Sequence, residues 1–253
     1  MPYALFTGWD YYRIGDMISY KAIRDEPYCP NSPTCGQWHC DHWPTSLACR
    51  YLQNTTAEND FATLAAIIRT SYTDPSYTPP RDAVVVHLRI GDVIDGFGAQ
   101  FVGVWDLLNG PPVCDKGIGT DDEHGGETRH CYVKNLDYYR AQIAKLPADV
   151  RTVYLVAGSH VDMDFARSSE YIRGVRDFFL SEGFVVHMRL GGTPDDAFIL
   201  AANARYFVVG GGGYSILMAN VNEAMGGTSL SSPAGDGPRL MCDGWGCEYW
   251  DGG

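Results

Sequence analysis

From Ala83 onward, short apolar runs alternate in strict order with segments of helical spacing, and that order leaves few folds open. "AVVVHLR", "TVYLVAG", "FVVHMRL" and "RYFVVG" are brief, continuous and rich in β-branched residues. Such runs mark strands covered on both faces, as in parallel sheets. Helices lie between them. "NLDYYRAQIAKL" sets Leu136, Tyr139, Ile143 and Leu146 at helical intervals. "DFARSSEYIRGVRDFFLSEG" should stop at Gly183, and "TPDDAFILAANA" should open on Thr193 as N-cap with Pro194 in the first turn. A glycine loop and a last helix, "GGGYSILMANVNEAMGG", follow the fourth run. Neighbouring parallel strands need a crossover connection, so this alternation predicts an α/β fold around a doubly wound parallel sheet.

Residues 1–80 are less regular. "YALFTG" reads as a strand, "RIGDMISYKAIRDE" as a helix and "AENDFATLAAIIRTSY" as another, with a Cys-, Pro- and Trp-rich loop over 27–49. "TDPSYTPPRD" has the Pro and turn residues of a linker. The chain of 253 residues therefore divides into a small irregular N-terminal domain, 1–80, and a C-terminal domain, 81–253, sharing a cleft. Residues 109–130 form a polar excursion whose "DDEHGGE" is a solvated acidic face, "DMD" at Asp162–Asp164 is a helix cap, and "TSLSSPAGDGPRL" is loop. "RIGD" occurs at Arg13–Asp16 and again at Arg89–Asp92, but the flanks match at no fixed period, so the repeat reads as coincidence.

A net charge of −12 with no basic stripe argues against a nucleic-acid partner. No apolar run reaches the length of a membrane span. Eight cysteines sit in loops or flank closable segments: Cys29, Cys35, Cys40 and Cys49, then Cys114 with Cys131 and Cys242 with Cys247. That pattern fits disulfides in an oxidising compartment, the lumen of the Golgi or endoplasmic reticulum, and Asn54 begins an N-glycosylation sequon. The competing arrangements are free thiols and a zinc site from Cys29, Cys35, His39, Cys40 and His42, although the spacings lack paired C-x2-C knuckles. The chain opens without a signal-peptide pattern, which leaves either the cytoplasm or a targeting segment outside this sequence.

Ligands of open α/β sheets bind beyond the carboxyl ends of the strands. His87, Arg89, Asp92 and Asp95 emerge there from the first run, with His87 and Arg89 on one side by alternation. A guanidinium can fork onto a phosphate or carboxylate; the alternative is an Arg89–Asp92 salt bridge that fixes the loop, with His87 a satisfied core residue. The fourth run ends in Gly210–Gly213, Tyr214 and Ser215 at the start of a helix; Gly212 and Gly213 expose backbone N–H groups in an anion cradle. Asp195 and Asp196 open another helix, where acids complement the dipole or recognise a base or ribose. A cation, free amides and a carboxylate pair at one edge suit a nucleoside diphosphate.

At these residues the chain resembles the fucosyltransferase superfamily, the α1,2- and α1,6-fucosyltransferases and protein O-fucosyltransferases. "HLRIGD" resembles its H-x-R motif, "DDAFILAANARYFVVGGGGYSIL" its later block, and "TGWDYYRIGDMISYKAI", more loosely, its Gly-rich N-terminal loop. Ile90 stands where many members carry a second Arg, and Gly15-Asp16-Met17 replaces G-N-Q. The resemblance implies a GT-B architecture of two Rossmann-like domains and inverting transfer of fucose from GDP-fucose to a glycan or glycoprotein hydroxyl, without metal or other cofactor. It implies that Arg89 holds the β-phosphate, that His87 and Asp195 or Asp196 lie at the guanosine, and that Tyr214 and Ser215 contact the pyrophosphate. Gly8, Arg13 and Gly15 would line the cleft, and Asp92 and Asp95 are the nearest candidates for a base. Two other readings stand beside it: a catalytically silent nucleotide- or glycan-binding protein on the same fold, and a disulfide-rich secreted interaction module.

Overall fold

The structure, a computed structural model, describes residues 57–95, 102–111, 115–116, 129–130, 133–158, 166–231, 241–243 and 246–248. Gly8, Arg13, Gly15, Asn54, Asp162–Asp164, the four cysteines before residue 57, Cys114 and Cys131 lie outside the described residues. At its centre is a sheet of five parallel strands: β1 (Ala83–Arg89), β4 (Thr152–Gly158), β5 (Val185–Leu190), β6 (Tyr206–Val208) and β7 (Thr228–Leu230). Their order is β5-β4-β1-β6-β7. Strand β1 pairs with β4 from Ala83↔Thr152 to Arg89↔Gly158, and with β6 from Val84↔Tyr206 to Val86↔Val208. With neighbours on both edges and helices on both faces, β1 buries Ala83 through Leu88, which is why every residue of that run except His87 is apolar.

Alternation along β1 divides the core into two layers. Val84, Val86 and Leu88 pack with Leu107 and Leu108 of α3 (Val104–Asn109), Tyr139 of α4 (Leu136–Ile143), and Tyr171, Val175 and Phe179 of α5 (Ala166–Ser181). Val85 packs with Leu64 and Ile68 of α1 (Ala57–Ser71), Phe198 and Ile199 of α6 (Pro194–Ala202), and Leu217 and Met218 of α7 (Gly212–Ala224). The short α2 (Asp92–Asp95) follows β1 directly. Among the described residues no helix is long and apolar enough to cross a membrane.

Two expectations from sequence need correction. Helix α1 lies before the boundary expected at residue 80, yet Leu64, Ala65, Ile68 and Tyr72 belong to the same core as the sheet. The sheet unit therefore includes α1, and the segment read as a linker forms a 3-10 turn, Pro75–Tyr77, whose tyrosine is fastened to α6. "TSL" was expected to be loop, but Thr228–Leu230 is the fifth strand, paired to β6 from Tyr206↔Thr228 to Val208↔Leu230. The backbone also pairs within segments expected to be irregular: β2 (Asp115–Lys116) with β3 (Arg129–His130), and β8 (Met241–Asp243) with β9 (Gly246–Glu248).

The chain runs outward from β1 to β4 and β5, then α6 carries it back to the other side of β1. The strand order thus reverses between β1 and β6. Parallel strands all end at one edge, and the helices that follow them begin there. The connections from β1 and β6 leave for opposite faces, and in open parallel sheets such a switch point, with its crevice, is the usual place for a ligand.

Candidate functional site

Strand β1 ends at Arg89, half-buried, with its neighbour Ile90 turned into the α3–α5 core at 7% exposure. The amide of Gly91 then donates to Ser168 Oγ at 2.9 Å. Asp95, one of the carboxylates expected at the chemistry, is engaged elsewhere. It accepts the Arg167 amide at 3.0 Å, the Ser168 amide at 3.2 Å and the Ser168 hydroxyl, so it caps α5 from across the loop. Asp92 lies in α2, and only its backbone is described.

His87 points to the other layer. It is buried, with its ring 5.7 Å from Tyr214 in an edge-on arrangement. Its Nδ1 is sealed from solvent and has no hydrogen-bond partner. Burial first, and the Arg89 charge second, push its pKa down to about 3. His87 is therefore a neutral imidazole at physiological pH.

The loop after β6 closes over it. A Cβ at Gly210 would stand 2.0 Å from the His87 carbonyl oxygen, so only glycine lets the two backbones approach this closely. Gly211 continues at φ 118 and ψ 158, a conformation reserved for glycine. Helix α7 then begins with no side-chain cap. Helix α3 likewise starts at a glycine, Gly103, without a side-chain cap, whereas Asn135 caps α4, Asp95 caps α5 and Thr193 caps α6. The first amides of α7 therefore have no capping side chain at the N-cap, and the positive end of the helix dipole lies there.

Ser215 does not face a ligand. It is fully buried, and its Oγ accepts the Gly210 amide at 2.8 Å, so it shapes the loop from beneath. Tyr214 ties α7 to α6 by donating its hydroxyl to the Pro194 carbonyl, and its ring meets Phe198 at 6.0 Å. The carboxylate pair is also built into the fold. Asp196 accepts the Thr193 amide and hydroxyl at 2.9 and 2.8 Å in a capping box, and the Tyr77 hydroxyl at 2.9 Å. Burial would raise its pKa, but those hydrogen bonds and the charge of Arg189 outweigh it, and the net shift is downward. Asp195 is buried and accepts the Tyr72 hydroxyl at 3.3 Å; burial and then the Asp195 charge hold Tyr72 well above the usual phenol range.

The structure thus brings His87, Arg89, Gly210–Gly213, Tyr214 and Ser215 together at the switch between β1 and β6. Asp195 and Asp196 sit on the same edge, one helix away, and Asp95 belongs to the opposite layer. Two residues missing from the sequence-based set complete the crevice. The Tyr138 hydroxyl donates to the Val209 carbonyl at 2.5 Å, and Lys134 lays its Nζ over the Tyr138 ring, 4.9 Å from the centroid. One local sign was readable: a lysine just before an Asn N-cap opposes the helix dipole. Among the described residues no group of three or more His, Cys, Asp or Glu could hold a metal ion. A scan against models of protein families finds no match to the chain, and a search of curated proteins finds none. The fold and site define an α/β, Rossmann-like protein with a candidate anion crevice at its switch point.

Proposed function

We propose that this crevice holds a nucleoside diphosphate and that the protein is a metal-independent, inverting glycosyltransferase of the fucosyltransferase type, taking fucose from GDP-fucose to a glycan hydroxyl. The single observation that carries the reading is the meeting, at the point where strand order reverses, of Arg89 with the uncapped start of α7. Breaking a sugar–phosphate bond builds negative charge on the leaving diphosphate. A guanidinium and preorganised amides stabilise that charge without a proton transfer. Asp95 is engaged at α5, so Asp92 is the carboxylate this reading keeps for drawing the proton from the acceptor hydroxyl. The described sheet unit would be the donor-side half of a GT-B enzyme, with acceptor recognition left to residues before it.

A second reading, a nucleotide binder without transfer activity, is favoured by that engagement of Asp95 and by the inward turn of the Ser215 hydroxyl. One series of measurements separates the two. In thermal melts against GDP, UDP, ADP and GMP, ligand at a hundred times its Kd should raise Tm by about 5–10 °C, GDP should act best, and Arg89→Ala should abolish the shift. Release of GDP from GDP-fucose with added acceptor glycans then distinguishes transferase from binder. If no nucleoside diphosphate moves the melt, both readings fail.

A further inference from the structure

The connection from β1 to β4 carries a cation that the nucleotide reading has not used. Lys134 is 8% exposed and stands immediately before Asn135, the N-cap of α4. The residue is buried at the positive end of the α4 dipole, and its Nζ lies 4.9 Å from the centroid of the Tyr138 ring. The surroundings fix it in place. Tyr171 Oη donates to the Lys134 carbonyl at 2.5 Å, and Tyr139 and Tyr171 share a buried hydroxyl contact of 3.0 Å. The Asn135 side chain accepts the Tyr138 amide and donates to the Gly110 carbonyl at 2.8 Å. Tyr138 offers its ring face to the ammonium and reaches the end of β6 through the Val209 carbonyl. The first turn of α4 is thereby fastened to the residue that leads into Gly210, and Lys134 stands beside the end of β6 in the helix layer opposite α7.

Beneath Gly210, His87 Nδ1 is sealed from solvent and unpaired. Beside Arg89, Ile90 is turned into the core and brings no charge to the mouth. On a chain of net charge −12, anion binding has to come from local positive groups. Lys134 supplies one from the opposite helix layer.

We propose that Lys134 is a specificity-determining residue of the crevice: its ammonium takes one phosphate of a bound nucleoside diphosphate while Arg89 and the first amides of α7 hold the other. The proposal rests on the nucleotide reading above and adds what selects two phosphates over one. A monophosphate satisfies the Arg89 side alone; a diphosphate spans both walls.

The test is calorimetric titration of the full chain with GDP and with GMP. Wild type should bind GDP more tightly. Lys134→Gln should weaken GDP at least tenfold and GMP by less than threefold, so the preference collapses. Arg89→Ala should weaken both. Because Lys134 is buried, Lys134→Arg serves as the variant that keeps the charge should the glutamine variant fail to fold; its GDP-over-GMP ratio should fall at least threefold, since a planar fork does not replace a compact ammonium on a ring face. A wild-type preference for GDP that survives unchanged in the folded Lys134 variant overturns the proposal and leaves the nucleotide reading intact. Binding of neither nucleotide by wild type overturns both.

Discussion

His87 links packing to pH. Its folded pKa of about 3 lies below the ordinary value of 6.5, because burial disfavours the imidazolium and Arg89 repels it. Between those two values the unfolded chain binds a proton that the folded chain refuses. The stability due to neutral His87 is therefore complete above pH 6.5 and is lost progressively as pH falls towards 3. From pH 7 to 4.5 the loss is about 2–3 kcal/mol, or about 5–10 °C in Tm. Since Nδ1 has no partner to lose, His87→Leu should fold and should melt with a flatter pH dependence over that interval. Parallel Tm-against-pH curves for wild type and variant would refute the assignment. The position of His87 and Arg89 at a strand end was legible in sequence, because alternation and the topology of parallel sheets dictate it. The tasks of their neighbours were not. Ser215 reads as a ligand contact until its Oγ is seen beneath Gly210, and only the fold brings Tyr138 and Tyr171, from two helices, around Lys134.

At the scale of elements, helix starts carry the organisation of the carboxyl edge. Thr193→Ala removes one half of a local capping box on α6 and should cost about 1 kcal/mol. Asp95→Ala should cost more, about 2–3 kcal/mol, because two α5 amides and the buried Ser168 hydroxyl lose one shared acceptor. Asp95→Asn, which keeps an oxygen in place, should recover part of the loss. Urea midpoints at constant m-value report these differences, and a neutral Asp95→Ala would remove the cap assignment and return Asp95 to the candidates for a base. The cap on α6 was readable because its residues are adjacent in sequence, Thr193 with Asp196. The cap on α5 was not, because Asp95 and Ser168 are joined only by the fold. Strand length follows the same logic. Ala83–Arg89 and Thr152–Gly158 announce themselves with β-branched runs, whereas Thr228–Leu230 is short and mixed, and becomes a strand because α7 delivers it beside β6.

For the whole molecule, the question is where the folding unit begins. A Pro-rich stretch ahead of a buried strand looks like a domain boundary, since local sequence cannot reveal that Tyr72 and Tyr77 reach across to Asp195 and Asp196. Helix α1 completes the α6–α7 layer: Leu64 and Ile68 are fully buried, and Ala65 and Tyr72 nearly so. At about 1.5–3 kcal/mol for each large apolar side chain, this helix contributes about 5 kcal/mol, as much as the entire margin of some domains. Two truncations measure it. A chain beginning at residue 57 should keep α1 on the sheet and retain a cooperative melt. One beginning at Arg81 should expose the faces of α6 and α7, bind a hydrophobic dye and lose cooperativity. If the shorter chain melts as sharply as the longer, α1 is an accessory and the boundary belongs at residue 80 after all. If it does not, the candidate site inherits the dependence, because α1 packs against α7, and the uncapped amides at the start of α7 can face an anion only while that helix is held to the sheet.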